Sequence, residues 1–230
     1  MGIISKTILE RIKQFPEIPF ISKQGFSYND LIPWRDIENY LNNNYSFTQD
    51  QLTIIDQNGY NFNPTMGEYS WSSIKRYMPE EVFSLINSGN TFALFNMSRY
   101  NQKCNHLARE IENALENIAL DFHVFGGIKE NCHSFSIHRD FSYNLIFQID
   151  GKSRWMVYNN DTSLPRNIDT NDKLTLLIDE VLDPGDVIYI PVNYYHKCIP
   201  MGKRLSISVC FRPTFDGEFC KNRNWFTLDI

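Results

Sequence analysis

The residues in this chain best suited to chemistry are a histidine and an aspartate two positions apart. His138 and Asp140 stand in "SFSIHRDFSYNLIFQIDG", where apolar residues alternate and a glycine turn follows. If this stretch is a β-strand, both side chains lie on one face, because strand side chains alternate between faces. An imidazole beside a carboxylate can clamp a metal ion. The alternative is a hydrogen-bonded histidine–aspartate pair in a core, and the tripeptide alone leaves both interpretations open.

A third candidate ligand lies in "LDPGDVIYIPVNYYHKC", which begins at Leu182. Pro184-Gly185 predicts a tight turn, a strand follows, Pro191 ends it, and His196 comes after the next turn. His138, Asp140 and His196 together would make a two-histidine, one-carboxylate facial triad. Such a triad binds Fe(II) and leaves coordination positions open for chemistry.

The elements that must position these residues change in character near residue 121. Helical periodicity is found in residues 3–14, "PWRDIENYLNN", "PEEVFSLINSG" and "NHLAREIENALENIAL". The last of these places Leu107, Ile111, Leu115 and Ile118 on one stripe. "TFALFNM" (91–97) reads as a strand. The later half holds short alternating runs, namely "FHVFGG", "SFSIH", "NLIFQIDG", "SRWMVYN", "KLTLLID", "DVIYIP" and "RLSISVCF". Several short strands separated by turn residues predict a β-barrel or jelly roll preceded by a helix-rich region.

Composition excludes several classes of protein. The chain of 230 residues suits one compact domain, and it has no apolar run long enough to cross a membrane. The net charge of −5 is spread along the sequence without a basic face, which argues against nucleic-acid binding. The five cysteines form no C-x-x-C pair, and the N-terminus does not read as a signal peptide. We therefore expect a soluble protein of a reducing, intracellular compartment, most simply the cytoplasm.

The segment from about Thr91 to Pro213 resembles the JmjC and cupin-like Fe(II)- and 2-oxoglutarate-dependent oxygenases. The order of parts is similar: "NTFALFNMSRY", an amphipathic helix, "FHVFGG", "HRDFSYNLIFQIDGKSRWMVY", "PGDVIYIPVNYYH" and "RLSISVCF". The resemblance implies a double-stranded β-helix and iron ligands at His138, Asp140 and His196. The implied organisation is a helix-rich extension (1–90), the double-stranded β-helix (91–215) and a C-terminal tail (216–230), packed as one domain.

The same resemblance asks for a cation that binds the distal carboxylate of 2-oxoglutarate. JmjC enzymes usually carry Lys or Arg at the position of Ser153, and the flanking Lys152 and Arg154 would point away from the site unless a bulge redirects one of them. The better candidate is Arg204, because Arg204-x-Ser206 resembles the R-x-S motif of other 2-oxoglutarate oxygenases. Asn144 stands where relatives place a polar residue near the co-substrate, and the alternative for Asn144 is a turn residue. The alternative for Arg204 and Ser206 is the wet face of an edge strand.

The predicted function is an Fe(II)/2-oxoglutarate-dependent oxygenase that hydroxylates a protein side chain or a small molecule and converts 2-oxoglutarate to succinate. Two alternatives remain at this point: a metal cupin enzyme that does not use 2-oxoglutarate, and a non-catalytic cupin-like binding module. The other polar residues suggest less. His123 reads as a half-buried structural histidine and His106 as a solvated residue at the start of a helix. His133 reads as a poor ligand, and Cys210 as a pocket residue without an evident base.

Overall fold

The computed structural model describes residues 4–27, 31–43, 47–48, 50–56, 58–69, 72–115 and 118–213. Five helices lie in this part of the chain: α1 (Lys6–Ile12), α2 (Trp34–Asn43), α3 (Pro79–Asn87), α4 (Met97–Tyr100) and α5 (Gln102–Ala114). The strands of the first half are β1 (Phe20–Ser22), β2 (Leu52–Ile55), β3 (Asn61–Phe62), β4 (Met66–Tyr69), β5 (Ser72–Tyr77) and β6 (Thr91–Leu94). Those of the second half are β7 (Ile118–Gly127), β8 (Ile137–Arg139), β9 (Tyr143–Asp150), β10 (Ser153–Asn160), β11 (Asn167–Ile168), β12 (Leu176–Leu182), β13 (Val187–Ile190), β14 (Tyr194–Pro200) and β15 (Arg204–Pro213).

Two antiparallel sheets form the β-roll. The larger sheet has eight strands in the order β1-β13-β9-β15-β7-β6-β2-β3, and the smaller has five in the order β11-β8-β14-β10-β12. Strands β7 to β10 alternate between the two sheets, and so do strands β12 to β15, as in a jelly roll. The predicted mainly β fold, a double-stranded β-helix with helical decoration, is therefore confirmed.

Strand β15 is central to the larger sheet and is buried on both faces. It pairs with β7 on one side and with β9 on the other. Leu205, Ile207 and Val209 belong to the main apolar core, whereas the alternate residues, from Arg204 to Cys210, line a cavity. The edge-strand alternative for Arg204 and Ser206 is thereby excluded.

The N-terminal part of the chain packs against the larger sheet. Ile8 of α1, Val82 of α3 and Ile111 of α5 share one apolar cluster with Ile207 of β15 and Phe147 of β9. Strands β1, β2, β3 and β6 lengthen the sheet itself. Burying these apolar side chains supplies the main driving force for their docking, at about 25 cal/mol per Å² of apolar surface. The division at residue 90 stays a prediction.

Four predictions about local structure differ from the observed elements. Ile118 does not continue α5, because the helix ends at Ala114 and Ile118 begins β7 opposite Pro213. Ile118 fits the helical spacing of the residues before it and the strand alternation of the residues after it. Pairing with β15 makes it a strand residue. Strand β14 was not among the predicted runs, since "YYHKCIP" does not alternate cleanly. "KLTLLID" starts its strand later than predicted, at Leu176, and "TFALFNM" ends at Leu94.

The predicted C-terminal tail, together with Cys220, lies outside the described residues. Within the described ranges, every helix is too short or too polar to span a bilayer.

Candidate metal centre

His138 and His196 are brought together by strand pairing. His138 lies on β8 and His196 on β14, and the antiparallel register makes them direct partners. Their ring centroids are 4.4 Å apart. Asp140 follows β8 directly, and its Oδ2 lies 3.6 Å from Nε2 of His196. One ligand atom from each of the three residues lies within 4.8 Å of the others. The distances suit three protein ligands around one ion.

The turn before β14 fastens the two strand ends to each other. Asn193 adopts a left-handed backbone conformation (φ 66°), which asparagine tolerates better than most residues. Its N–H donates to the carbonyl oxygen of Asp140 at 2.8 Å, and Nη1 of Arg139 donates to its side-chain oxygen at 2.8 Å. The backbone that carries Asp140 is thus held against the backbone that leads to His196.

Backbone carbonyls fix the orientation of both imidazoles. Nδ1 of His138 lies 2.8 Å from the carbonyl oxygen of Ser136, and Nδ1 of His196 lies 3.0 Å from that of Tyr194. Because a carbonyl only accepts, each Nδ1 carries a proton, so Nε2 is the ring nitrogen that can bind a metal ion. Metal-binding histidines are commonly oriented by such contacts at the other ring nitrogen.

The charges of the cluster suit a cation. Burial, together with nearby His138, lowers the pKa of His196 to about 4, so its imidazole is neutral at physiological pH. Burial opposes ionisation of Asp140, but the nearby histidines, Arg166 and the amide of Asn144 outweigh it and lower the pKa of Asp140. The cluster therefore offers the neutral imidazole of His196 and the carboxylate of Asp140 beside the imidazole of His138.

Two side chains hold the Asp140 carboxylate. Nδ2 of Asn144 donates to Oδ2 at 3.0 Å, and Nη2 of Arg166 donates to Oδ1 at 3.3 Å. The guanidinium of Arg166 also lies over the ring of Phe141, 5.3 Å from its centroid. Asn144, proposed from the sequence as a co-substrate residue, thus contacts the carboxylate. The sequence did not reveal Arg166, because its loop approaches Asp140 only in the folded chain.

A cavity of about 860 Å³ joins the triad to the polar face of β15. Arg204 is 1% exposed, and its Nη1 donates to Oγ of Ser206 at 3.2 Å. Among the described residues, nothing accepts a hydrogen bond from Nε or Nη2 of Arg204. A buried guanidinium with two unused donors is costly unless an anion completes it.

The other candidate cations point away from this cavity. Lys152 pairs with Asp183 at 2.7 Å, and Arg154 makes a two-point contact with Asp179. Both basic side chains are about half exposed. Ser153 between them is fully buried, and its Oγ has no hydrogen-bond partner among the described residues. Ser153 lies outside the set of described residues that line the cavity.

His123 and Asp121 also line the cavity. Nδ1 of His123 lies 3.8 Å from Sγ of Cys210, so the structure provides the base that the sequence did not reveal. The alternation Asp121-x-His123 on β7 was the available signal. His106 and His133 are exposed, in keeping with their interpretation as a solvated residue and a poor ligand.

A β-roll with two histidines and a carboxylate on adjacent strand ends defines the metal-binding cupin-like class of folds. The sequence model of the JmjC domain matches residues 94–218, more than half of the chain. The chain therefore belongs to the JmjC domain family.

Curated relatives include the bifunctional lysine-specific demethylase and histidyl-hydroxylase NO66 of Drosophila persimilis. It is 26% identical over 133 residues, which cover 54% of this chain and 18% of the relative. The Brugia malayi protein of the same name is 31% identical over 98 residues, 37% of this chain and 14% of the relative. The chain thus spans less than a fifth of the length of these two relatives.

Solved structures share the fold. The Escherichia coli ycfD structure has a TM-score of 0.64 at 18% identity and covers 95% of this chain and 56% of its own. Escherichia coli YcfD, described as a ribosomal oxygenase in complex with cobalt and 2-oxoglutarate, has a TM-score of 0.59 at 19% identity. That match covers 88% of this chain and 50% of the other. At this identity the likeness concerns the fold alone.

Proposed function

We propose that this chain is an Fe(II)- and 2-oxoglutarate-dependent oxygenase that hydroxylates its substrate. The observation that carries the proposal is the buried, incompletely paired Arg204 in the same cavity as the His138–Asp140–His196 cluster. A cupin-like metal site that does not use an anionic co-substrate gives no reason for a buried guanidinium there. Membership of the JmjC domain family supports the same reaction.

The metal would be held by Nε2 of His138, Nε2 of His196 and a carboxylate oxygen of Asp140. This donor set fits non-haem Fe(II), which takes two imidazoles and one carboxylate and keeps open positions. Bound Fe(II) and 2-oxoglutarate supply the dioxygen chemistry, in which 2-oxoglutarate becomes succinate and carbon dioxide and a substrate C–H is hydroxylated. The chain's contribution is to fix the three ligands before the metal arrives.

Arg204 and Ser206 would hold the distal carboxylate of 2-oxoglutarate. The free Nε and Nη2 of Arg204 form one edge of a planar guanidinium and match a carboxylate in a two-point contact. Ser206 already fixes Nη1 and so orients the group. Arg204 thereby supplies on β15 the charge that the family usually supplies from the position of Ser153 on β10.

Apolar side chains around these groups would keep water out. Ile146, Phe125 and Trp155 line the cavity between the two sheets, and Ile146 and Trp155 are at least nine-tenths buried. A dry cavity strengthens the contact between a guanidinium and a carboxylate, because the effective dielectric is lower than in water. Asn144 and Arg166 would hold the Asp140 carboxylate in place during binding.

The substrate we propose is a protein side chain. Proteins similar to this chain include a histidyl-hydroxylase and a ribosomal oxygenase, and these names support this class. The mouth of the cavity carries Phe141 and Tyr60, both large and exposed aromatic side chains that suit contact with a polypeptide. A small-molecule substrate is the other outcome that a substrate screen would test.

The experiment is an anaerobic titration of the purified chain with Fe(II) and then with 2-oxoglutarate, followed by visible absorption. We expect a charge-transfer band from the bidentate complex in the wild type and its loss in His138→Ala. Arg204→Met should keep Fe(II) binding but raise the 2-oxoglutarate concentration needed for the band by at least tenfold, about 1.4 kcal/mol.

Arg154→Met is the matched control. It makes the same substitution at an arginine that pairs with Asp179 at the surface instead of lining the cavity. It should leave the titration unchanged. Iron binding without a band in the wild type would contradict the proposal and favour a metal cupin enzyme without 2-oxoglutarate. Absence of iron binding would favour a non-catalytic module.

A further inference from the structure

A thiol, an imidazole and a carboxylate stand in a row on β15 and β7, apart from the metal cluster. Nδ1 of His123 lies 3.8 Å from Sγ of Cys210, and Nε2 of the same ring lies 3.2 Å from Oδ2 of Asp121. Strand pairing sets this order, since Cys210 is the register partner of Asp121. The proposed oxygenase reaction uses none of these three residues.

The row is held in place on each side. The N–H of Phe122 donates to Oδ1 of Asp121 at 2.7 Å, which leaves Oδ2 for His123. The ring of Phe95 meets His123 edge to face, with centroids 4.8 Å apart. The imidazole therefore has one nitrogen on a carboxylate and the other on a thiol, as in cysteine nucleophiles with an oriented histidine.

Other groups near the thiol limit how it reacts. Oδ1 of Asn144 accepts from Sγ of Cys210 at 2.9 Å, so the resting thiol has a second acceptor. Ser208 lies 3.7 Å from Sγ, while Asp140 lies beyond Asn144, and the charged Arg212 lines the same cavity. Burial alone would lower the pKa of His123, but hydrogen bonds to Asp121 and Cys210 raise it to about 10. Because an ordinary thiol has a pKa of about 8.5, an imidazole with this raised pKa keeps a proton shared with the thiol and favours a thiolate–imidazolium pair.

Cys210 is also the most accessible thiol among the described cysteines. Cys104, Cys132 and Cys198 are buried, whereas Cys210 is partly exposed. Burial raises the pKa of the thiols of Cys104 and Cys132, which disfavours the reactive thiolate. Cys210 lines the cavity and can be reached by a small molecule that enters it.

We propose that Cys210 is a nucleophilic thiol that small soft electrophiles modify covalently, with His123 as its base and Asp121 orienting the base. With iodoacetamide, the proton of the thiol passes to Nδ1 of His123, a sulfur–carbon bond forms, and the carbon–iodine bond breaks to release iodide. The product is a thioether beside Asn144, the residue that donates to Asp140. The reactivity of Cys210 does not depend on the proposed oxygenase function.

The test measures the iodoacetamide alkylation rate of each cysteine in the full-length, metal-free chain by peptide mass spectrometry. An unassisted thiol with a pKa of about 8.5 should slow about fifty-fold between about pH 8.5 and about pH 6.5, as the thiolate disappears. We expect Cys210 to slow less than about fivefold, because His123 stabilises the thiolate at the lower pH.

Variants distinguish a Cys210 thiol that His123 activates from one that is only exposed. His123→Asn places an amide near the position of Nδ1 without a basic lone pair, and Asp121→Asn removes the orienting charge. Either change should return Cys210 to the steep pH dependence, while His106→Asn, at an exposed histidine of α5, should not. Near-native circular dichroism and melting temperature establish that each variant is folded.

Steep pH dependence of Cys210 in the wild type would overturn the proposal, and so would a shallow dependence that both variants retain. If His123→Asn fails to fold, Asp121→Asn alone decides between these outcomes. Because no metal or 2-oxoglutarate is present, the result is independent of the charge-transfer experiment.

Discussion

His138 and His196 are direct partners in the pairing of β8 with β14, and each donates its Nδ1 proton to a backbone carbonyl two residues earlier in the chain. The two strands therefore present their histidines in the same way, with Nε2 toward a shared point. The geometry is set by backbone rather than by flexible side chains. A site built in this way is rigid before any ligand binds.

Acid should weaken the fold through His196. Its pKa is about 4 in the folded chain and about 6.5 when unfolded, so the unfolded chain binds the extra proton first as pH falls. This contribution to stability is complete above about pH 6.5 and is lost as pH falls toward about 4, with a loss of about 2 kcal/mol at about pH 5.

Urea unfolding of the metal-free protein, above about pH 6.5 and again at about pH 5, measures this effect. His196→Asn should flatten the pH dependence by that amount, whereas His106→Asn should keep the wild-type profile. Equal pH profiles for the wild type and His196→Asn would show that His196 is not buried in its neutral form.

Removing the charge of Arg204 should not destabilise the metal-free protein. Its guanidinium is buried with two donors that find no acceptor among the described residues, and an uncompensated buried charge costs about 3–5 kcal/mol. We expect the melting temperature of Arg204→Met to equal or exceed that of the wild type. Thermal denaturation of the metal-free protein measures this. Denaturation with Co(II), with and without 2-oxoglutarate, measures the ligand-induced increase, which the variant should lose.

Arg166 should tune metal binding only modestly. It donates to Asp140 at 3.3 Å, but its side chain is 55% exposed, and exposed ion pairs contribute about 1 kcal/mol or less. Arg166→Gln should weaken Co(II) binding by at most about fivefold. Isothermal titration measures the dissociation constant, and Arg154→Gln serves as the surface control. A loss larger than about a hundredfold would mean that Arg166 is essential for holding the carboxylate.

Gly59 should be needed for the backbone that orients His138. Its φ is 82°, and an added Cβ would lie 2.8 Å from the carbonyl oxygen of Ser134 and from the N–H nitrogen of Ser136. Ser136 is the residue whose carbonyl fixes the His138 ring. Gly59→Ala should therefore destabilise the chain by about 1–3 kcal/mol and also weaken Co(II) binding.

The control is Gly67→Ala, where the added Cβ would meet the far end of a flexible methionine, Met78, at 2.9 Å. Chemical denaturation and Co(II) titration of both variants test the difference. Equal effects of the two substitutions on Co(II) binding would show that Gly59 has no specific role in orienting His138.

The positions of His138, Asp140 and Arg204 relative to their neighbours could be anticipated because strand alternation is a local property. Residues two positions apart on one strand share a face whatever the rest of the fold does. Arg204 and Ser206 line the cavity for this reason, and Lys152 and Arg154 point outward for the same reason. Whether that shared face points into the protein is not a local property. It depends on the pairing of β15 with a strand on each edge.

Relationships between strands were beyond the sequence. The contact between His123 and Cys210 depends on the register of β7 against β15, and the approach of Arg166 to Asp140 depends on a loop path. Neither is encoded in the spacing of the residues involved. Ile118 was misassigned for a related reason, since only the partner strand distinguishes a last helical turn from a first strand residue.

The two faces of β15 make its sequence intolerant of odd-numbered insertions or deletions. Leu205, Ile207 and Val209 lie in the apolar core, and the alternate residues from Arg204 onward face the cavity. Adding one residue early in the strand would exchange the two sets, sending a guanidinium into the core and aliphatic groups into the cavity. Adding two would restore the parity. The same strand thus carries a packing pattern and a binding pattern in alternate positions. A shift by one residue would disrupt both patterns at once.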